Sequence, residues 1–242
     1  MKLLPSIISK IKAPKAAQVF HSNHYLRHNQ RRQEHLATLG LDLSRKTVLE
    51  VGAAIGDHSS FFLDRGCTMT ITEARLQNLK FIKKRYPAVT VRQLDLNNPP
   101  ESLGASFEII YCYGTLYHLE KPKEAMAFMA SLCTGMLLLE TCVSFADTGT
   151  VNLVKENPLD PSQATVSLGC RPTRSWIFET LKSLFPYVYM PLTQPWHEEF
   201  PLDWTASGSP PDSHARAIFI GSREKLGCSC LADNIPMKQR RC

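Results

Sequence analysis

The segment Glu50-Val51-Gly52-Ala53-Ala54-Ile55-Gly56-Asp57 concentrates residue types that grip a polar ligand. Glycine permits a sharp turn and close approach of backbone to ligand. A helix that starts after such a turn presents unpaired amide hydrogens to the ligand. A pyrophosphate cradle of the GxGxxG kind needs glycine at 52, 54 and 57, but the chain has Ala54 and Asp57. A dinucleotide is therefore not the expected ligand. Glu73 stands 23 residues beyond Glu50. A carboxylate there can accept hydrogen bonds from both hydroxyls of a ribose; it also reads as a surface Glu at a helix start. Asp95-Leu96 and the run Tyr111-Cys112-Tyr113-Gly114-Thr115-Leu116-Tyr117-His118-Leu119 follow. His118 is either a general base or a residue that packs the loop it belongs to.

These segments need elements to hold them. Apolar, β-branched runs predict strands at 47–51, 69–72, 89–93, 107–112, 136–141, 187–190 and 217–222. Helices are predicted at 16–39, 57–64, 74–86, 121–133 and 174–185, with Gly40 ending the first and Thr173 capping the last. Strands alternating with helices imply parallel βαβ units covered on both faces. Such sheets bind ligands beyond the carboxyl ends of their strands. Each segment above follows one predicted strand. Residues 143–171 and 191–215 lack periodicity and read as irregular insertions that act as a lid.

Glu50, Gly52 and Gly56 resemble the first motif of class I S-adenosylmethionine-dependent methyltransferases: an acidic residue, any residue, then Gly-x-Gly-x-Gly. Ala54 replaces the middle glycine and narrows the turn by one methyl. Leu116-Tyr117-His118-Leu119 is similar to the family's fourth motif, which ends in Leu-x-His-Leu. The resemblance covers residues 46–142 and extends loosely to 223. It implies an α/β, Rossmann-like, doubly wound fold with a mostly parallel seven-stranded sheet, an N-terminal helical cap (1–40) and substrate-side insertions. The methyltransferase domain would span 41–224, followed by a tail at 225–242. The implied cofactor is S-adenosylmethionine, with S-adenosylhomocysteine as product and no metal. By resemblance, the Gly52–Gly56 turn packs the methionine portion, Glu73 takes the ribose, Asp95 recognises the adenine amino group and Leu96 packs the ring. Glu50, Ala53, Ala54, Asp57, His58, Ala74, Tyr113, Gly114 and Tyr117 complete the expected cofactor set.

Methyl transfer from a sulfonium is an in-line displacement, and alignment is its main requirement. A base assists where the acceptor is a hydroxyl or a protonated amine. His118 is the leading candidate. His24 and Tyr25, on a first helix that covers the cofactor in many relatives, are further catalytic candidates. The Asp/Asn-Pro-Pro-Tyr signature of exocyclic-amine DNA methyltransferases is replaced by Cys112-Tyr113-Gly114-Thr115, and Cys112 reads as a packed thiol. Arg171 and Arg174 can grip a carboxylate or phosphate, with Trp176 beside them. Trp196, His197 and Glu198 suit a polar, ring-containing molecule. The alternative for both groups is that arginines pair with glutamates and tie the insertions down. The expected reaction is methylation of an oxygen or nitrogen of a small molecule or glycan precursor. Two alternatives stand beside it: an RNA methyltransferase using basic ends, and a non-catalytic binding module.

The composition narrows these choices. The 242 residues suit one α/β domain with additions. The net charge of +6 gathers partly at the ends, in Lys2, Lys10, Lys12, Lys15, Lys238, Arg240 and Arg241. No aromatics interleave with those runs, so nucleic acid is a disfavoured partner. The eight cysteines form no CxxC pair, which points to a reducing, cytoplasmic setting. No stretch reaches the ~20 apolar residues of a membrane span. The short run Leu3-Leu4-Pro5-Ser6-Ile7-Ile8 leaves a weak amphipathic membrane contact as an alternative.

Overall fold

The computed structural model describes residues 16–145, 148–205 and 214–242. The basic run at Lys2–Lys15, the amphipathic stretch within it, the first part of the expected cap and residues 206–213 of the second insertion lie outside the described residues.

The helix expected over 16–39 is divided into α1 (Ala16–Phe20) and α2 (Asn23–Thr38). Ser22 causes the break. Its backbone is extended (φ −65°, ψ 153°), and its hydroxyl accepts the Tyr25 N–H at 3.5 Å. A serine that can cap a helix competes with continuing one. Gly40 ends the pair in the left-handed region, φ +67°.

The sheet is built from β1 (Thr47–Val51), β2 (Thr68–Glu73), β3 (Thr90–Gln93), β4 (Phe107–Tyr113), β5 (Cys133–Cys142), β8 (Tyr187–Pro191) and β10 (Arg216–Ser222). Two further strands, β6 (Val151–Lys155) and β7 (Leu168–Pro172), pair only with each other. The sheet order is β3-β2-β1-β4-β5-β10-β8, and a two-residue strand, β11 (Leu231–Ala232), extends the β8 edge. β1 to β5 run parallel, while β10 runs antiparallel between β5 and β8. The doubly wound, mostly parallel sheet is thus the expected one, with the short β11 added.

The chain leaves β1 toward β2 and β3, then returns to β4 on the other side. A switch point therefore opens beyond the carboxyl ends of β1 and β4. Both faces are apolar because helices cover both. Ile109, Tyr111, Leu138, Ile218 and Ile220 join one core cluster; their neighbours Ile110, Cys112, Leu137, Leu139 and Phe219 join the other. This period-2 split is what a sheet buried on both faces requires. Leu36, Leu39, Phe62 and Ile82 fill the first side, from α2, α3 (Ser59–Leu63) and α4 (Leu76–Arg85). Met126, Met129, Ile177 and Leu181 fill the second, from α5 (Pro122–Leu132) and α6 (Arg174–Lys182). Thr173 caps α6 by accepting the Trp176 N–H at 3.3 Å.

The first insertion is more regular than expected. β6 and β7 form an antiparallel ribbon from Val151↔Pro172 to Lys155↔Leu168. β6 is half-buried or exposed throughout, and β7 reads Leu-Gly-Cys-Arg-Pro, so no strong apolar alternation marks them. The C-terminal residues run back along the domain. β11 pairs with β8, and β12 (Arg240–Arg241) pairs in parallel with β9 (Thr193–Gln194).

Candidate active site

Beyond the switch point lies a cleft of about 1080 Å³, part of it open to solvent. Its floor is the turn after β1. Gly52 has φ +67°, and a Cβ there would stand 2.2 Å from the Thr115 hydroxyl, so only glycine fits. Ala54 also has positive φ, +52°. An L-residue in that region costs roughly 1–2 kcal/mol, and Glu73 holds it there. Glu73 Oε2 accepts the Ala54 N–H at 2.8 Å, and Oε1 accepts the Arg75 N–H at 2.9 Å. Burial pushes the Glu73 carboxyl above its usual range, although these amides pull the other way. Glu50 is more deeply buried, and burial raises it to about 7 despite a hydrogen bond from Ser59.

Asp57 closes the floor. Its Oδ1 pairs with Arg85, while its buried Oδ2 has no partner among the described residues. Asp95 accepts the Asn97 N–H at 2.9 Å and shares the wall with Leu96. His58 meets two groups: Nδ1 is 2.6 Å from Tyr111 Oη, and Nε2 is 3.4 Å from Arg32 Nη2. A guanidinium only donates, so Nε2 accepts and Nδ1–H donates to the tyrosine. Burial, reinforced by Arg32, pushes the His58 imidazole far below its ordinary value and keeps it neutral.

The opposite wall rests on Glu140, at the end of β5 and fully buried. Arg32 of α2 donates to it at 2.8 Å, and Arg216 of β10 donates at 3.0 Å. Burial alone would raise this carboxyl, but the two guanidiniums hold it below its usual range. Arg216 also donates to Tyr117 Oη at 3.1 Å and to Glu199 at 2.6 Å. Gly114 has φ +81°, which favours glycine, and a Cβ there would stand 3.0 Å from Arg32 Nη1. Tyr113 Oη faces the same cleft buried and without a partner among the described residues.

His118 stands at the rim. Its Nδ1 is 2.5 Å from Glu156 Oε2, at the end of β6. Burial lowers the His118 imidazole, and Glu156 partly restores it. Glu156 also accepts the Ala164 N–H at 2.6 Å. The Arg75 guanidinium donates to the carbonyls of Pro158, Asp160, Gln163 and Ala164 at 2.9–3.1 Å. These bonds lay the 156–167 connection across the cleft, where Pro161 to Thr165 line it.

Most of the expected residues therefore meet. His118, Tyr25, Glu50, Gly52, Ala53, Ala54, Asp57, His58, Glu73, Ala74, Asp95, Leu96, Tyr113, Gly114 and Tyr117 all line the cleft. Gly56 sits just behind it, its carbonyl accepting the Tyr86 hydroxyl at 2.8 Å. The expected substrate residues do not reach the wall. Arg171 stacks 5.0 Å over the outer side of Tyr117 and reaches Glu156 at 3.5 Å. Arg174 donates to the Pro236 carbonyl and lies 4.0 Å over Trp204. Trp176 packs against the α5–α6 core. Trp196 is exposed, its Nε1 donating to the Cys242 carbonyl at 2.5 Å. Glu198 pairs with Arg27 at 2.9 Å and His24 with Glu199 at 3.3 Å, while His197 is buried between α2 and Phe200. Internal partners hold these side chains away from the cleft. Arg32, Arg216, Asn29 and His28 line it instead. Arg32 and Arg216 lie 108 and 76 residues from their common partner, a distance no sequence spacing reveals.

A family model described as a methyltransferase domain matches residues 20–173. The chain belongs to that family, and with this sheet and motif order it is a class I S-adenosylmethionine-dependent methyltransferase. A search of curated proteins finds no match. Solved structures share the fold. The N-terminal domain of EvdMO1, determined with S-adenosylhomocysteine and D-fucose, is 19% identical with a TM-score of 0.59 over 83% of this chain and 84% of that one. Magnesium protoporphyrin IX methyltransferase from Synechocystis is 13% identical with a TM-score of 0.55, over 87% and 90%. CalS10, an amino pentose methyltransferase from Micromonospora echinaspora, is 16% identical with a TM-score of 0.52, over 81% and 90%.

Proposed function

We propose that this methyltransferase acts on an oxygen or nitrogen of a polar small molecule or glycan precursor, with His118 as general base. The observation that carries the reading is the His118–Glu156 pair at the rim of the cleft. Glu156 accepts from Nδ1–H, which leaves Nε2 as the lone-pair nitrogen. Burial lowers the imidazole and so favours its neutral, basic form at neutral pH. Nε2 then takes the proton from an acceptor hydroxyl as its oxygen attacks, or from an ammonium before the freed nitrogen lone pair attacks.

The floor suits S-adenosylmethionine. Glu73 is in place for the ribose hydroxyls, Asp95 and Leu96 for the adenine, and the orphan Asp57 Oδ2 for a cationic amine. When bound, the cofactor supplies an electrophilic methyl on a sulfonium. The chain's residues then align the acceptor and exclude water, the 156–167 connection covering the cleft. Solved structures of the same fold support the substrate class: one was determined with D-fucose and another is of an amino pentose methyltransferase. No helix among the described residues is long and apolar enough to cross a membrane. All eight cysteines stand as free thiols, which supports the cytoplasmic placement.

The test is release of S-adenosylhomocysteine on a panel of sugars, amino sugars and hydroxylated aromatics, with structured RNA in parallel. Turnover on a small molecule, reduced about 100-fold or more in His118→Ala with cofactor affinity kept, is the expected result. Turnover on RNA alone, falling steeply with salt, replaces this reading with the nucleic-acid one.

A further inference from the structure

Next to the cleft, α2 and the turn after β9 gather three imidazoles and two carboxylates. His24 and His28 lie four residues apart on α2, on one face. His197, Glu198 and Glu199 face them from the turn. The donor atoms of His28, His197 and Glu199 all lie within 4.8 Å of one another. Glu199 approaches His28 Nε2 at 3.7 Å through Oε2 and His24 Nε2 at 3.3 Å through Oε1. The rings of His28 and His197 are 4.7 Å apart.

Two of these groups want a partner. The side chains of His28 and His197 are 2% and 0% exposed. The Nε2 of each has no hydrogen-bond partner among the described residues. A buried polar atom left unpaired costs about 1–3 kcal/mol, and here two point into one space. Only His28 touches the cleft wall; the other residues stand apart from the donor-binding loops.

We propose that His24, His28, His197 and Glu199 bind a zinc ion that clamps α2 to the turn after β9. Three imidazoles and a carboxylate are a zinc donor set, four-coordinate with bonds of about 2.0–2.2 Å. Side-chain rotations close the present spacing onto the ion. Glu198 is the less available carboxylate because both its oxygens take Arg27. Glu199 gives Oε2 to Arg216 at 2.6 Å and keeps Oε1 for the metal, so Arg216 orients the ligand from outside. His197 Nδ1 accepts the Glu199 N–H at 3.3 Å. Coordination through Nε2 moves the ring proton to Nδ1 and gives up that long contact.

Full-length protein without a histidine tag, stripped with a chelator, is titrated with Co²⁺ and then Zn²⁺. The expected result is one Co²⁺ per chain with visible absorption of a tetrahedral site, displaced by Zn²⁺, and a Tm that rises with metal. His197→Ala weakens Co²⁺ binding about 100-fold or more, while His214→Ala, outside the cluster, does not. His24→Ala, at a half-exposed position, serves if His197→Ala fails to fold; it also weakens binding and changes the absorption. Co²⁺ binding no tighter than about 1 mM, or binding unchanged in the cluster variants, overturns the proposal. None of these readings needs the acceptor or turnover.

Discussion

The floor and the rim of the cleft are built by different means. The floor consists of short loops, each starting where a parallel strand ends, and most of its bonds run between backbone and one side chain, as in Glu73 with the Ala54 N–H. The rim consists of α2, the 156–167 connection and β10, and it is joined by charged side chains: Arg32 and Arg216 on Glu140, His118 on Glu156. The floor is set by the sheet, whose strand ends fix its loops. The rim depends on partners far apart in the chain, so acceptor choice can change there without disturbing the floor.

Removing Glu140 breaks the rim most severely. Glu140→Ala leaves the buried Arg32 guanidinium without a carboxylate and takes one of two from Arg216, which keeps Glu199; an unpaired buried charge costs about 3–5 kcal/mol. The expected fall in Tm is about 6–20 °C for a chain of this size, read by calorimetry; a fall of under about 2 °C means that the network carries little.

Glu73→Ala attacks the floor. It frees the Ala54 and Arg75 amides and removes the carboxylate proposed to hold the ribose. At about 2–3 kcal/mol, cofactor binding weakens roughly 30- to 150-fold, while Glu140-dependent stability is kept. Unchanged affinity removes the ribose role.

Glu156→Gln separates orientation from binding. Burial lowers the His118 imidazole and the Glu156 carboxylate raises it. A base with a lowered value is neutral above that value and is lost as pH falls through it. The acid limb of kcat/KM therefore moves to lower pH in Glu156→Gln, with kcat reduced and cofactor affinity kept. An unmoved limb assigns His118 a packing role.

The smallest effect is at Ala54. Ala54→Gly relieves a positive φ worth about 1 kcal/mol and removes a methyl beside the cofactor turn. Stability rises or holds, and affinity shifts by less than about fivefold; a large loss shows that the methyl is a contact.

The two regions also differ in how far the sequence reveals them. Glu50, Gly52, Glu73, Asp95 and His118 were legible as cleft residues because each stands at or beyond the carboxyl end of a strand, and a parallel sheet gathers strand ends. The break at Ser22 was missed because a capping serine inside an otherwise helical run carries no separate signal. The β6–β7 ribbon was missed because its side chains are partly exposed and do not alternate clearly. Arg171, Arg174, Trp196, His197 and Glu198 have the right chemistry for a ligand, yet other parts of the chain use it first. Arg32 and Arg216 are the reverse case: ordinary arginines on α2 and β10 until Glu140 brings them together.

We propose that the floor formed after β1, β2, β3 and β4 is the cofactor site. Isothermal titration calorimetry of the folded protein with S-adenosylmethionine and S-adenosylhomocysteine tests it most directly. One site per chain for each ligand, each competing with the other, is the expected result. A folded protein that binds neither contradicts it.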